Sequence, residues 1–387
     1  MKILILGGYG EMGKVITTDL FETFKGEIII AGRDKEKAKR FADSFKSENI
    51  SWSQADASQP KGLVRALEGC DVIINAVQYN LNLDVMKAAL AAKVSYVDLG
   101  GLFHMTGKQL KLHKRFKTAG VTAIIGCGAT PGITNIMAAY GATFFDRINA
   151  VHVQFADKDW TKYDMPFVVP YSMRTIFDEF SMKPVVYNNK RYTYVEPVSG
   201  IEEIDFPSPV NKAICFYTLH SEVATFPSSF RNKGIRNCSF KGGFERDFVD
   251  KIKFLIDAGF ASKNPMRNNN CTIVPQDFTV KMLNKFIPEN AKVNDMEFLR
   301  VEIDGKINGR NKLLVVYCKS VSNKKWNIPA GSWNTGTPPS IVAQMLAHGN
   351  IKEKGVLPPE LCINPKIFFK ELKKRQINVF NRWKNKG

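Results

Sequence analysis

The sequence predicts an α/β protein: a doubly wound parallel sheet in the first third, followed by an α+β domain on a mostly antiparallel or mixed sheet. Three observations carry this prediction. Between residues 2 and 125, six short apolar runs alternate with helix-length segments, the rhythm of a parallel sheet covered on both faces. The first run enters its helix through Gly8, Gly10 and Gly13, a G-x-G-x-x-G spacing between strand and helix. Beyond residue 132 the rhythm changes to alternating runs punctuated by turns such as Asn188-Asn189 and Asp304-Gly305, which read as hairpins.

In chain order, Lys2–Leu6 is long enough for one buried strand and too short for a helix. A helix over Lys14–Phe24 and a second strand at Ile28–Ala31 complete the opening unit. Ile50–Trp52 leads through Gln54 to Asp56 as a third strand, and Pro60 suits the first turn of a helix reaching Leu67. Asp71–Ala76, Ser95–Asp98 and Val121–Ile125 supply three more strands; Leu83–Ala92 and a basic amphipathic stretch, Gly107–Thr118, supply the helices between them. In such a sheet the ligand lies at the carboxyl ends of the strands, where the order reverses. The loops Gly7–Gly13 and Asn75–Asn80 are therefore expected to face each other.

Gly126–Gly132 reads as the crossover into the second domain. There, strands are expected at Val151–Phe155, Val185–Tyr187, Arg191–Val195, Ala213–Leu219, Glu297–Ile303 and Leu313–Ser320. Helices are expected at Met173–Phe180, Phe244–Ala258 and Gln276–Phe286. Further on, Thr337 is a good N-cap with Pro338 at the first helical position, which places a helix over Ser340–His348. A basic helix follows at Pro365–Arg375.

Composition bounds the function. The 387 residues are 44% hydrophobic and 24% charged, enough for two domains with ordinary cores. No apolar run approaches the ~18 residues that span a bilayer, and no basic-then-apolar leader precedes the first strand. Seven cysteines without a C-x-x-C pair argue for a reducing, cytoplasmic setting and against a zinc site; no metal is expected. The net charge of +18 could serve nucleic acid. No zinc finger, basic zipper or RNA-recognition signature accompanies it, so it reads as a basic surface that attracts phosphates and carboxylates. G-x-S-x-G, H-E-x-x-H and P-loop spacings are absent, which weighs against hydrolase, metalloprotease and NTPase chemistry.

The glycine turn points to a dinucleotide. Gly8 would allow the tight turn, Gly10 the approach of a pyrophosphate, and Gly13 close helix–strand packing, with Tyr9, Glu11 and Met12 between them. Arg33 stands twenty positions after Gly13, where NAD-specific folds place an acid. Arg33 and Lys37 offer cations to a 2′-phosphate and favour NADP; Asp34 could bind ribose hydroxyls and keeps NAD possible. Asp56 and Ala57 after the third strand, Asn75, Ala76 and Val77 after the fourth, and Gly128 at the crossover complete the candidates for the cofactor.

Asn75, Tyr79 and Asp98 lie at strand ends beside the expected nicotinamide. Asp98 could hold or relay a proton, or cap its own turn; Tyr79 could bond substrate or pack. His220 can change charge near neutrality, and Glu222, two residues on, would share its face if a strand continues there. Arg174 and Arg231 could clamp a carboxylate or pair on the surface. Cys127, between two glycines, reads as a packing residue.

Taken together, the Gly8–Gly13 turn, Ala66–Asn75, Tyr96–Gly101, Gly126–Asn135 with its Pro131-Gly132, and Gly331–Glu360 resemble the saccharopine dehydrogenase-like superfamily, which includes lysine 6-dehydrogenases. The resemblance spans nearly the whole chain. It implies a Rossmann domain over 1–127, a substrate and dimerisation domain over 128–334, and a segment over 335–387 that returns to the first domain. It also implies hydride transfer between NADP or NAD and an amine or imine, here a C–N bond of a lysine-derived amino acid, and a homodimer. His220–Pro227 sits where lysine 6-dehydrogenases look similar, which adds Thr225 to the substrate candidates. Those enzymes more often carry glycines before the threonine. By this reading the active site lies between the domains, with Asp98 facing His220 or Glu222 and the Thr335–Pro338 turn forming the floor. A non-catalytic dinucleotide sensor is the alternative.

Overall fold

The computed structural model describes residues 1–165, 167–169, 171–268, 271–286 and 291–384. The first domain is built from β1 (Lys2–Leu6), α1 (Glu11–Thr23), β2 (Glu27–Gly32), α2 (Lys35–Ser44), β3 (Ile50–Gln54) and α3 (Pro60–Ala66). It continues with β4 (Val72–Asn75), α4 (Asn82–Ala92), β5 (Ser95–Asp98), α5 (Leu102–Leu110), α6 (His113–Thr118) and β6 (Thr122–Ile124). All these strands are parallel, and the order on either side of β1 is β5-β4-β1-β2-β3, so the winding reverses between β1 and β4. Ile3 to Leu6 and Val72 to Ile74 are buried to within 1%, as continuous apolar strands between two helix layers should be.

The second domain holds α7 (Ile133–Ala142), β7 (Arg147–Asp159), α8 (Met173–Ser181), β8 (Val185–Asn188), β9 (Arg191–Tyr194), β10 (Glu202–Asp205) and β11 (Lys212–Tyr217). Then come α9 (Glu222–Ser229), β12 (Asn237–Gly243), α10 (Arg246–Asp257), the small pair β13 (Met266–Asn268) and β14 (Cys271–Ile273), α11 (Pro275–Leu283), β15 (Asp295–Ile307) and β16 (Arg310–Val321). β12 and β7 are parallel while the remaining neighbours are antiparallel, which makes the sheet mixed. One face packs on α7: a side-chain carbon at Gly141 would sit 2.3 Å from Ile303 and 3.4 Å from Leu314.

The chain then turns back through α12 (Ala330–Ala347) and β17 (Gly355–Leu357), which joins the parallel sheet beside β6. α13 (Pro359–Cys362) and α14 (Pro365–Lys374) follow, the latter opened by Asn364, whose side chain accepts from Lys366 N. β18 (Asn378–Lys384) then pairs with β16. The expectation that residues beyond 335 belong with the first domain is therefore corrected for β18, which forms an edge of the second sheet.

Two further expectations are corrected. Thr337 does not open a helix: α12 begins seven residues earlier and runs through Pro338 and Pro339. Each proline removes a backbone donor, yet Asn334, Thr337 and Ser340 are wholly buried, and tertiary packing overrides the local cost. At Gly336 a side-chain carbon would stand 2.5 Å from Val15 Cγ1, so only glycine lets α12 lie this close to α1. The stretch Gly107–Thr118 is two helices rather than one. α5 turns Gln109 inward to Asp98, whereas α6 turns Phe116 into the core against the first sheet.

Candidate active site and cofactor cleft

The glycine turn is shaped for a phosphate. Gly8 N–H and Gly10 N–H are taken by Ile5, Ala31 and Gly7 carbonyls, which leaves the first-turn amides of α1, at Glu11, Met12 and Gly13, to point outward. A side-chain carbon at Gly13 would lie 2.0 Å from the Gly7 carbonyl oxygen, so the close helix–strand approach requires glycine. Across the reversal, a side-chain carbon at Gly7 would lie 2.9 Å from Val77 Cγ1 and 3.0 Å from Ala76 O. The loops after β1 and β4 thus face each other. Tyr9 lies over Gly32, and its hydroxyl accepts the Asp34 amide at 2.9 Å.

At the ribose end, the Asp34 carboxylate is committed to the chain. Its Oδ1 accepts Lys37 N at 3.0 Å, capping α2, and its pKa is lowered chiefly by that bond. Arg33 is exposed, and Lys37, also exposed, lies with its Nζ 3.7 Å from Asp34 Oδ2, so this corner presents cations and an acid that is already engaged. Asp56 accepts both the amide and hydroxyl of Ser58, at 2.9 and 2.8 Å, in a turn that leaves Ala57 buried. Asn75 is buried, bonded through Nδ2 to Asn82 Oδ1 at 2.9 Å and to Tyr96 Oη at 3.1 Å.

Asp98 is 1% exposed and accepts five donors: Gly126 N (2.7 Å), Gly100 N (2.9 Å), Gln109 Nε2 (2.5 Å), Tyr96 Oη (2.8 Å) and Asn82 Nδ2 (3.3 Å). Burial raises its pKa and the donors oppose the rise. All five donors belong to the stretch from Asn82 to Gly126, so the expectation that this carboxylate faces the second domain is corrected: its lone pairs are spent tying α4 and α5 to the ends of β5 and β6. The turn it holds does reach the other domain. A side-chain carbon at Gly100 would lie 3.9 Å from Ser221 Oγ, and one at Gly128 would lie 3.5 Å from Thr335 Cγ2.

The second domain answers with His220 and Glu222. They do not share a strand face; His220 ends a loop and Glu222 opens α9. His220 stacks on Phe240 with ring centres 3.7 Å apart, and its Nδ1 lies 2.5 Å from Glu222 Oε2. Thr130 and Thr134 hydroxyls donate to Glu222 Oε1, the latter at 2.9 Å. Burial disfavours both charges, but the pairing outweighs it, holding His220 above and Glu222 below their ordinary values. The geometry is that of an imidazolium fixed by a carboxylate. Thr225, one turn on, lies 3.5 Å from Asn135 Nδ2, which also donates to Glu360 Oε2 at 2.8 Å.

Tyr79 crosses between the domains and donates to Asp178 on α8. The next residue, Glu179, accepts from Tyr171 Oη at 2.6 Å; burial pushes its carboxyl up to about 7, against the pull of His220. Beside Tyr171 lie Asp157 and Glu297, directly opposed on β7 and β15, with Asp159 and Asp295 opposed one step along. Asp295 caps α12 through Ala330 N, and Glu297 accepts Asn334 Nδ2 at 2.6 Å. Asp157 has no cation or other side chain bonded to its carboxylate among the described residues. Solvent reaches Asp157, but burial by its crowded walls and the neighbouring acids push its carboxyl up to about 7; burial does the same for Glu297.

The arginines stand elsewhere. Arg174 NH2 lies 2.5 Å from Asp277 Oδ1, so its guanidinium is spent on α11, and Arg231 is exposed on the turn after α9. The structure adds Thr130, Thr134, Asn135, Asp178, Glu179 and Glu360. Thr130, Thr134, Asn135 and Glu360 sit inside stretches that carried the family resemblance; the α8 acids had no spacing that could flag them.

Comparison with known proteins agrees with this architecture. Residues 3–124 match the saccharopine dehydrogenase NADP binding domain, and residues 128–377 match the saccharopine dehydrogenase C-terminal domain. The chain is 24% identical over 402 residues to a carboxynorspermidine synthase of Vibrio cholerae, covering 96% of this chain and 94% of that one. It is 24% identical over 374 residues to a carboxyaminopropylagmatine dehydrogenase of Synechocystis, covering 92% and 91%. Its fold is similar to apo saccharopine dehydrogenase (L-Glu forming) from Saccharomyces cerevisiae, with a TM-score of 0.75 at 15% identity, covering 99% of this chain and all of that one. With both domain families matched in order, over a glycine turn and a cation pair that suit NADP, the chain belongs to the saccharopine dehydrogenase family of NADP-binding oxidoreductases.

Proposed function

We propose that this protein forms or splits, with NADP, the C–N bond of a carboxylated polyamine: a secondary amine joining an amino-acid carbon skeleton to a diamine. The observation that carries the reading is the row of acids along the cleft. Like charges directly opposite on a sheet are destabilising, yet Asp157 faces Glu297 and Asp159 faces Asp295 in a chain of net charge +18. Glu179 continues the row, and beside it Asp178, whose Oδ1 already meets Lys263 Nζ at 2.6 Å, takes the Tyr79 hydroxyl. Such a row suits a substrate with spaced ammonium groups better than one with a single amine. The full-length relatives named for carboxynorspermidine and carboxyaminopropylagmatine support the same class.

The Gly8–Gly13 turn would hold the dinucleotide, with Arg33 and Lys37 available to a 2′-phosphate, and the bound group would supply or take the hydride. The chain does the rest. Acids on β7, β15 and α8 hold the cationic arm and fix the reacting carbon in register. His220, kept charged by Glu222, holds the proton that imine formation and hydrolysis must exchange. Asp98 keeps the floor rigid without touching substrate.

The test is to incubate the purified protein with NADPH, a diamine and an amino-acid semialdehyde, and with NADP and a carboxylated polyamine, following absorbance of the reduced cofactor. Turnover is expected in both directions. Turnover with saccharopine or lysine and none with the polyamine substrates would return the reading to a lysine-derived amino acid.

A further inference from the structure

The face of the nine-stranded sheet turned away from α7 carries a cavity of about 360 Å³. Side chains alternate along a strand, so Arg300 and Glu302 point here while Val301 and Ile303 point to the core. The floor is two rows in register across three strands. Lys241, Gln154 and Arg300 form one; Ser239, His152 and Glu302 form the other. β10 and Tyr217 wall it in.

Two cations are deeply sunk here: Lys241 is 8% and Arg300 is 4% exposed. Lys241 Nζ meets Glu202 Oε2 at 2.6 Å. Arg300 NH1 donates to Gln154 Oε1 at 2.6 Å and NH2 to Glu302 Oε2 at 2.5 Å. Its Nε–H has no acceptor among the described residues. His152 is held below its ordinary pKa by burial, and its Nδ1 lies 2.7 Å from Ser239 Oγ. A sheet face without covering helices has no packing reason to desolvate a lysine and an arginine and leave a guanidinium donor unmet. A bound acceptor supplies that reason.

We propose that this cradle binds a small zwitterion, a free amino acid, apart from the active cleft. Its carboxylate would lie against Arg300 Nε and Lys241 Nζ, and its ammonium toward Glu202 and Glu302. The balance of charge selects the class. Three cations line the cavity (Lys241, Arg300, Lys384) against four acids (Glu202, Glu203, Asp205, Glu302). Glu203 is already paired with Lys212 Nζ at 2.5 Å, so the wall is close to neutral: a bare anion brings a charge it does not balance, and a bare cation leaves the Nε–H unmet.

The experiment is calorimetric titration of the full chain with L-alanine, acetate and ethylamine in turn. L-Alanine should bind saturably at one site, acetate at least tenfold more weakly, and ethylamine without saturation at this site. Arg300→Lys keeps the charge but removes the Nε–H fork, and should weaken L-alanine at least tenfold. Ser239→Leu, which fills the floor, should do the same if Arg300→Lys proves unstable. Tyr79→Phe and His220→Ala should leave the binding unchanged. Absence of saturable L-alanine binding overturns the proposal, as does binding that survives both cradle variants or is lost with Tyr79→Phe. Sedimentation showing a second copy seated on this face, released by Glu203→Arg, would assign the cavity to a subunit interface instead.

Discussion

Cofactor choice rests on one exposed side chain, and its contribution can be worked out. The Asp34 carboxylate is engaged at the α2 cap, so the 2′-position of a bound dinucleotide is expected to meet Arg33 and, beyond it, Lys37. A charge-assisted hydrogen bond is worth ~1.5–3 kcal/mol, and exposure argues for the lower end because solvent screens the pair. Arg33→Ala should therefore cost NADP about 1.5 kcal/mol, roughly tenfold in Kd, and NAD less than about twofold, since NAD offers the guanidinium no phosphate at that position. Lys37 remains and retains part of the attraction, so the variant should still bind NADP measurably. Fluorescence titration with both reduced cofactors at low and high salt reads this directly. The NADP preference should shrink at ~1 M salt, where the screening length falls to about 3 Å. Equal losses for both cofactors, or no loss for NADP, would refute the assignment of the 2′-phosphate to this corner.

Three other outcomes follow from the site and its supports. Glu222→Gln removes the carboxylate that holds His220 charged, so the imidazole pKa, read by NMR in the apo protein, should fall; a value equal to wild type would detach the pair from the proton's control. Asp157, Glu179 and Glu297 have folded pKa values near 7, raised above their unfolded values. The stability they contribute is full below about pH 4 and is lost as pH rises through 7; binding of a polyamine should tighten over the same rise as these groups ionise, and Asp157→Asn should flatten that rise. Arg375, 4% exposed in its side chain, meets Asp19 Oδ1 at 2.6 Å and Oδ2 at 2.9 Å. Arg375→Met strands a buried carboxylate and should destabilise the fold by about 3–5 kcal/mol, while pairing it with Asp19→Leu should restore much of the loss in a thermal melt.

The first sheet was legible because its strands are continuous apolar runs and its helices carry local signals: Pro60 at a first turn and glycines at the turn; the Asp34 cap of α2 was read instead as a ribose ligand. α12 was not legible, because Thr337-Pro338 is a sound local start signal. What defeats it is Gly336 lying on Val15, a contact between residues 321 positions apart. His220 and Glu222 were visible as a pair, though strand alternation was the wrong reason; a loop and a helix start bring them together. Asp98 was visible as an important carboxylate, but five donors, three of them at least eleven residues away, decide its part. The acidic row was invisible, since Asp157 and Glu297 become neighbours only through strand pairing. Arg174 misled because an arginine's sequence neighbours do not reveal Asp277 on another helix.

The late return of the chain bears on how the protein matures during synthesis. β17 pairs with β6, and β18 pairs with β16, so each sheet waits for a strand made well after the edge it covers. Until residues 355–384 emerge from the ribosome, both edges present unpaired amides and carbonyls, the surface on which strands of other chains add. Arg375 likewise reaches Asp19 of α1 only then, so part of that helix's support comes last, after α12 has been made. A nascent chain halted before residue 355 would have its glycine turn and α12 written but both sheet edges open, and would be a substrate for chaperones before it could become an enzyme.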